Sequence, residues 1–168
     1  DLSTLARDSG ANAGYLISDT EYNQDGSVKA SVDPRGVRTE YVYDNRSRTI
    51  EEKVAVGTAI QASRHYTYDA AGNRLTTVDE RSKTWTNTYT VRGQVLTSVD
   101  PLSNTTTYSY TADGLVNTVT NANGHTTSNF YNNCCRRLSE IRDHDNNSKF
   151  FFYDAAGNLT AATDESNR

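Results

Sequence analysis

The residues of this 168-residue chain that could do chemistry are three histidines, two adjacent cysteines, one tryptophan and a few paired carboxylates. Asp143-His144-Asp145-Asn146-Asn147 offers oxygen ligands at alternating positions, and Asp154 stands where a twelve-residue calcium loop would end. Such a loop needs glycine at its sixth position, where this chain has Ser148, followed by Lys149 at the seventh. The segment reads instead as a solvated turn. His65, His125 and His144 fall in unrelated positions, none within an H-E-x-x-H arrangement, and there is no G-x-S-x-G or phosphate-cradling glycine loop. Glu51 with Glu52, and Asp143 with Asp145, form carboxylate pairs, the second inside a turn slot that recurs along the chain. The expectation is no catalysis, no cofactor and no resident metal.

Cys134 and Cys135 are neighbours in sequence. In a strand their side chains point to opposite faces, which opposes a disulfide, whereas a bent turn would permit one. Two free thiols are the expectation, and the redox compartment stays open. Trp85, with Tyr66, Tyr68 and Tyr89, could present a sugar-stacking surface among Asn, Gln and Thr donors. The competing reading places these aromatics in a cross-strand packing stripe.

The elements that position these groups must be thin. Hydrophobic residues reach 35% and mean hydropathy is −0.76, below the roughly 45–50% apolar content of compact domains. Yet aromatics are 10%, with 11 tyrosines and two prolines, and the chain is rich in Thr and Val. Disordered chains lack such residues, which favour strands. A net charge of −4 without a basic cluster argues against nucleic acid or anionic membrane as the main partner. No apolar window approaches a membrane span. The chain has no methionine and no signal-peptide pattern at Asp1, so it reads as part of something longer.

Self-similarity organises the whole sequence. Tyr22, Tyr43, Tyr68, Tyr89, Tyr110, Tyr131 and Tyr153 recur at spacings of 21, 25, 21, 21, 21 and 22 residues. Four residues after each stands Gly26, Ser47, Gly72, Gly93, Gly114, Cys135 or Gly157. Eleven or twelve after each stands Asp33, Val54, Asp79, Asp100, Asn121, Asp143 or Asp164. Three further on come Gly36, Gly57, Ser82, Ser103, Gly124, Asn146 and Asn167.

Each column has a physical reason. Glycine supplies the positive φ that closes a short hairpin, and Asp or Asn accepts backbone hydrogen bonds within the turn. Between turns, segments such as Arg74–Val78, Thr84–Tyr89 and Asn104–Tyr110 alternate with a period of two. One unit is two antiparallel strands and two tight turns, and residues 1–168 form one array, a meander of 14 or 15 strands. Units begin near Thr20, Tyr41, Tyr66, Asn87, Tyr108, Asn129 and Phe151, after a partial unit at 1–19. The 25-residue unit keeps its D-x-x-G slot as Val54-Ala55-Val56-Gly57 and lengthens the turn after it, and Ala11–Gly14 forms a similar insertion. The tyrosines, often preceded two residues earlier by Tyr41, Tyr66, Tyr108 or Phe151, make an aromatic–aliphatic stripe across the strands.

The consensus Y-x-Y-D-x-x-G-x-L followed by D-x-x-G resembles the YD repeats of Rhs proteins. It is clearest in Tyr66-Thr67-Tyr68-Asp69-Ala70-Ala71-Gly72-Asn73-Arg74-Leu75 and in Phe151-Phe152-Tyr153-Asp154-Ala155-Ala156-Gly157-Asn158-Leu159. Ser47, Cys135 and Val54 depart from the pattern, as do Thr90, Thr111 and Asn132 after their tyrosines. The resemblance implies an all-β fold: a repetitive antiparallel hairpin meander in a curved, single-layer spiralling sheet, part of a YD-repeat shell. Such shells occur in bacterial Rhs and polymorphic toxins, insecticidal toxin complexes and teneurins. The implied function is a structural wall around a toxin or effector domain, in a secreted or cell-surface bacterial setting. The implied partners are the rest of a longer YD-repeat polypeptide and the enclosed domain. The alternative is an adhesion module binding glycan or protein, with Trp85 as ligand contact. Unpaired edges at either end would favour end-to-end self-association of the isolated chain.

Overall fold

The computed structural model describes residues 18–164. Among these residues every element is a strand, and no helix is present. In chain order they are β1 (Asp19–Tyr22), β2 (Val28–Val32), β3 (Arg38–Tyr43), β4 (Thr49–Val54), β5 (Ala62–Tyr68), β6 (Arg74–Val78) and β7 (Thr84–Tyr89). There follow β8 (Val95–Val99), β9 (Thr105–Tyr110), β10 (Val116–Thr120), β11 (Thr126–Tyr131), β12 (Leu138–Arg142), β13 (Ser148–Tyr153) and β14 (Leu159–Asp164). Their order in the sheet is their order in the sequence, so the fold is an all-β antiparallel meander in one open sheet. The partial unit at 1–19 (but for its last two residues), the insertion at Ala11–Gly14 and the turn after Asp164 lie outside the described residues.

The chain divides into two compact units, one covering residues up to 67 together with 78–82, the other 68–77 and 83 onward. Within the first, β1 to β4 form consecutive hairpins and β4 pairs with β5. Within the second, β7 to β14 do the same without interruption.

Two kinds of hairpin alternate, and register separates them. Hairpins that turn after an Asp or Asn keep constant register: Ala30 faces Glu40, Ser31 faces Thr39 and Val32 faces Arg38. Hairpins that turn after a tyrosine slip by one residue next to it. Glu21 faces Ala30 while Tyr22 faces Val28, so Lys29 is an extra residue. The same shift occurs at Tyr43, Tyr89, Tyr110, Tyr131 and Tyr153. A bulge of this kind adds local twist and leaves backbone groups without ladder partners.

Little is buried. Among the described residues only Ala30, Ala55 and Ser148 are, and no large side chain is fully enclosed. Stability therefore rests on hydrogen-bonded ladders and cross-strand pairs rather than on a packed core. Long polar side chains do some of the covering, with charged heads in water and stems along the sheet. Ala30 lies in register between Glu21 and Glu40, and Arg38 binds both carboxylates, at 2.6 and 2.9 Å. In the second unit the Arg142 guanidinium sits 4.8 Å from the Phe130 ring centre and 2.7 Å from Glu140. Hydroxyl pairs add further cross-strand bonds, Thr88 with Thr97 and Ser109 with Thr118, each at 2.6 Å.

Candidate functional site

The repeating columns converge on one turn geometry. At Asp33 the backbone N–H donates to the carbonyl of Val37 (2.9 Å), and the N–H of Gly36 donates to the carbonyl of Asp33 (2.8 Å). This is a three-residue loop whose last residue is left-handed, and Gly36 has φ 82°. The Asp33 carboxylate accepts the N–H of Arg35 and of Val37 from inside the turn. That arrangement repeats at Asp100 with Leu102 and Asn104, and at Asp143 with Asp145 and Asn147. At Asp79 the carboxylate accepts the N–H of Arg81, and Ser82 is the left-handed residue. Asp164 ends β14 opposite Lys149.

On the tyrosine side the left-handed residues are Gly26, Gly72, Gly93, Gly114 and Gly157, with φ between 76° and 98°, and Ser47 takes the same place after Tyr43 with φ 58°. The carboxylate of Asp44, in that turn series, is held down to about 2 by the Arg48 guanidinium and the Arg48 N–H. Asp69, Asp100, Asp143 and Asp154 are likewise held below the ordinary range, each chiefly by an asparagine side chain four residues on.

Two turns depart from the sequence-based alignment. In the turn after Tyr131 the left-handed residue is Arg136 (φ 56°), not Cys135, because the loop from Asn132 to Arg137 absorbs one extra residue. The Asp143 turn is consequently regular rather than stretched. Val54 does not open a D-x-x-G turn either. It ends β4 paired with Ala62, and residues 55–61 form a seven-residue loop with two left-handed residues, Ala55 and Gly57.

The tyrosines do more than pack. The hydroxyl of Tyr43 donates to the carbonyl of Val28 at 2.8 Å, and Val28 is the residue facing Tyr22. Tyr89 donates to Arg74, Tyr110 to Val95, Tyr131 to Val116 and Tyr153 to Leu138, at 2.7 to 3.0 Å. Val95 faces Tyr89, Val116 faces Tyr110 and Leu138 faces Tyr131. The hydroxyls of Tyr43, Tyr110, Tyr131 and Tyr153 thus reach the bulge of the preceding tyrosine hairpin, where the ladder to their own strand has ended. Burial raises the pKa of Tyr110 and Tyr131, as expected for hydroxyls that stay protonated donors. Tyr22 lies in β1 and is 63% exposed, and Tyr68 closes β5. Sequence reading assigned these residues to an aromatic stripe and missed the hydroxyl. The signal was available, since a packing stripe alone does not need Tyr over Phe.

Of the residues with chemical potential, His125, His144, Asp143, Asp145 and the two cysteines fall on turns, whereas Glu51, Glu52, His65 and Trp85 lie in strands β4, β5 and β7. Asp143, His144 and Asp145 bring ligand atoms within 4.8 Å of one another. The calcium-loop geometry is excluded, because Ser148–Tyr153 is strand β13 and carries Asp154 to the opposite edge, about 20 Å away at strand rise. His125 and His144, from two different turns, stack with ring centres 3.8 Å apart, a pairing that sequence positions did not indicate. Cys134 and Cys135 are free and exposed, and a hydrogen bond with Cys134 together with desolvation pushes the Cys135 thiol up. That direction opposes a reactive thiolate. Trp85 is 37% exposed at the start of β7, on the same strand face as Tyr89 but four residues from it, about 13 Å.

With this geometry in view, the comparisons are consistent. Residues 89–126, which hold Tyr89, Tyr110 and the turns at Gly93, Asp100, Gly114 and Asn121, match the RHS Repeat family. No curated protein matches the sequence. Among solved structures the chain is similar to the crystal structure of TcdB2-TccC3-Cdc42, with TM-score 0.74 and 14% identity over 89% of this chain and 9% of that one. TcdB2-TccC3 without its hypervariable C-terminal region gives TM-score 0.74 at 15% identity, again over 89% and 9%. A Tc holotoxin pore from Photorhabdus luminescens gives TM-score 0.58 at 14% identity, over 88% and 11%. The chain therefore carries an RHS repeat and shares the fold of these Tc toxin proteins, of which it spans about a tenth of the length.

Proposed function

We propose that this chain is a wall segment of a large Rhs-type shell that encloses and protects a toxin or effector domain. The observation that carries the reading is the tyrosine-to-bulge hydrogen bond, which at Tyr43, Tyr110, Tyr131 and Tyr153 ties a hairpin to the preceding one without calling on a second layer. A sheet stabilised in this way extends by adding units, which suits a wall and offers no focused catalytic cavity. Its side chains are largely polar on both faces, as Thr88 and Thr97 illustrate on one and Asn87, Ser98 and Thr106 on the other, so a partly folded passenger would meet few adhesive surfaces. The role is structural rather than catalytic, and the setting is a secreted bacterial complex. The remainder of a longer YD-repeat polypeptide and the enclosed domain are the partners, and an isolated chain would associate through its open terminal strands. Electron cryo-microscopy of the full-length polypeptide tests this. These strands should lie in a continuous closed wall around density for another domain, and an extended open array with no enclosed density overturns it.

One observation favours a second reading. Trp85, partly exposed on a strand otherwise rich in Thr and Asn, suits stacking on a sugar ring. Glycan-array binding that disappears in Trp85→Ala would support an adhesion module instead of a passive wall.

A further inference from the structure

We infer that His125, His144 and Asp145 form a surface site for a divalent transition-metal ion of the zinc, nickel or copper class. His125 is the last residue of the turn that joins β10 to β11, and His144 is the second residue of the turn that joins β12 to β13. These turns lie on one edge of the sheet, two strand spacings apart, about 9.5 Å at normal separation. Only side chains reaching toward one another from the end of one turn and the start of the next can meet there. The corresponding slots in the preceding turns hold Lys83 with Pro101 and Asn104 with Ala122, neither of which pairs two imidazoles.

The side chains brought together here suit a metal. The rings are nearly parallel, at 10°, with centres 3.8 Å apart, so the two turns bring both imidazoles to one place on the edge. Two zinc–nitrogen bonds of about 2.0–2.1 Å set tetrahedral donors roughly 3.4 Å apart, so on binding both exposed rings leave the stack and turn their nitrogens toward a common point. Asp145 supplies the third ligand: its carboxylate is 3.4 Å from His144 Nε2 and is 67% exposed. Asp143 is not a ligand. Its two carboxylate oxygens are occupied by the turn, accepting from the N–H groups of Asp145 and Asn147 and from the Asn147 amide. Three ligands on an exposed edge leave the remaining coordination positions to water or to a group from a partner. Imidazole selects zinc, nickel or copper over calcium and magnesium, which prefer all-oxygen sets.

The test is isothermal titration of the chain with Zn²⁺, Ni²⁺ and Ca²⁺ in a Cys134→Ser/Cys135→Ser background, because the adjacent thiols could bind zinc on their own. The site predicts one equivalent of Zn²⁺ or Ni²⁺ and no heat with Ca²⁺. His125→Ala and His144→Ala should each weaken binding by at least the roughly 10–100-fold that loss of an outer-shell partner costs. Both side chains sit in exposed turns, so far-UV circular dichroism should be unchanged, and His125→Gln provides a second, polar variant of that position. Absence of Zn²⁺ and Ni²⁺ binding, or binding that His125→Ala and His125→Gln leave intact, overturns the site. So does Ca²⁺ binding that depends on Asp145 but on neither histidine.

Discussion

The hydroxyl of Tyr110 donates to the carbonyl of Val95 at 2.7 Å, and Val95 is the residue that faces Tyr89 across the preceding hairpin. The same relationship joins Tyr131 to Val116, which faces Tyr110, and Tyr153 to Leu138, which faces Tyr131. Bulge and tyrosine are thus two halves of one device: the first frees a carbonyl, and the second, one unit later, satisfies it.

Tyr110→Phe isolates the hydroxyl. A net hydrogen bond contributes about 0.5–1.5 kcal/mol, and the variant should lose that much. Tyr131→Phe should lose less, because Asn129 Nδ2 also donates to the Val116 carbonyl, at 3.1 Å. Urea unfolding of both variants checks the order. Equal losses, or none, would mean that the ring alone matters.

The left-handed turn positions carry a stability difference that substitution can reveal. Ser103 adopts φ 66°, where a Cβ costs about 1–2 kcal/mol, whereas glycine adds roughly 0.5–1 kcal/mol of chain entropy. Ser103→Gly should therefore stabilise by about 0.5–1 kcal/mol. Gly124→Ala should destabilise by a similar amount: a Cβ there meets nothing within 4 Å, so the cost is backbone strain alone. Paired denaturation curves moving in the same direction would contradict the turn assignment.

Acid should weaken the array through its turns. Asp44 is held at about 2 by the Arg48 guanidinium and N–H, while an unfolded aspartate titrates near about 3.9. A folded pKa below the unfolded one means the stabilisation is fully present above about pH 4 and is lost as pH falls toward about 2. Asp69, Asp100, Asp143 and Asp154 shift in the same direction and should contribute in the same window. Melting temperature measured from pH 6 to pH 2 should fall steeply below pH 4, and less steeply in Asp44→Asn. A flat profile would show that these carboxylates do not hold the turns.

The strand meander was legible because its columns are dictated locally. A left-handed residue and an Asp that accepts two N–H groups must sit at fixed offsets, and the chain repeats those offsets. Register was less legible. The extra residue at Lys29 or Leu96 has no distinctive type, since a bulge is set by what the neighbouring strand needs rather than by its own side chain. Column counting also placed the turn glycine slot at Cys135, where the structure has Arg136 left-handed, because a one-residue insertion can be absorbed anywhere in a loop. The 55–61 loop hid for the same reason, with Gly57 imitating the repeat. The His125–His144 stack joins residues 19 apart on neighbouring turns, which no single motif spans.

Protease protection tests the wall most directly. In the full-length polypeptide that carries this segment, the effector domain should resist a broad-specificity protease when the hairpins are intact. It should become sensitive when Tyr110, Tyr131 and Tyr153 are all replaced by Ala. An effector domain digested equally fast with the segment intact would contradict the enclosing role.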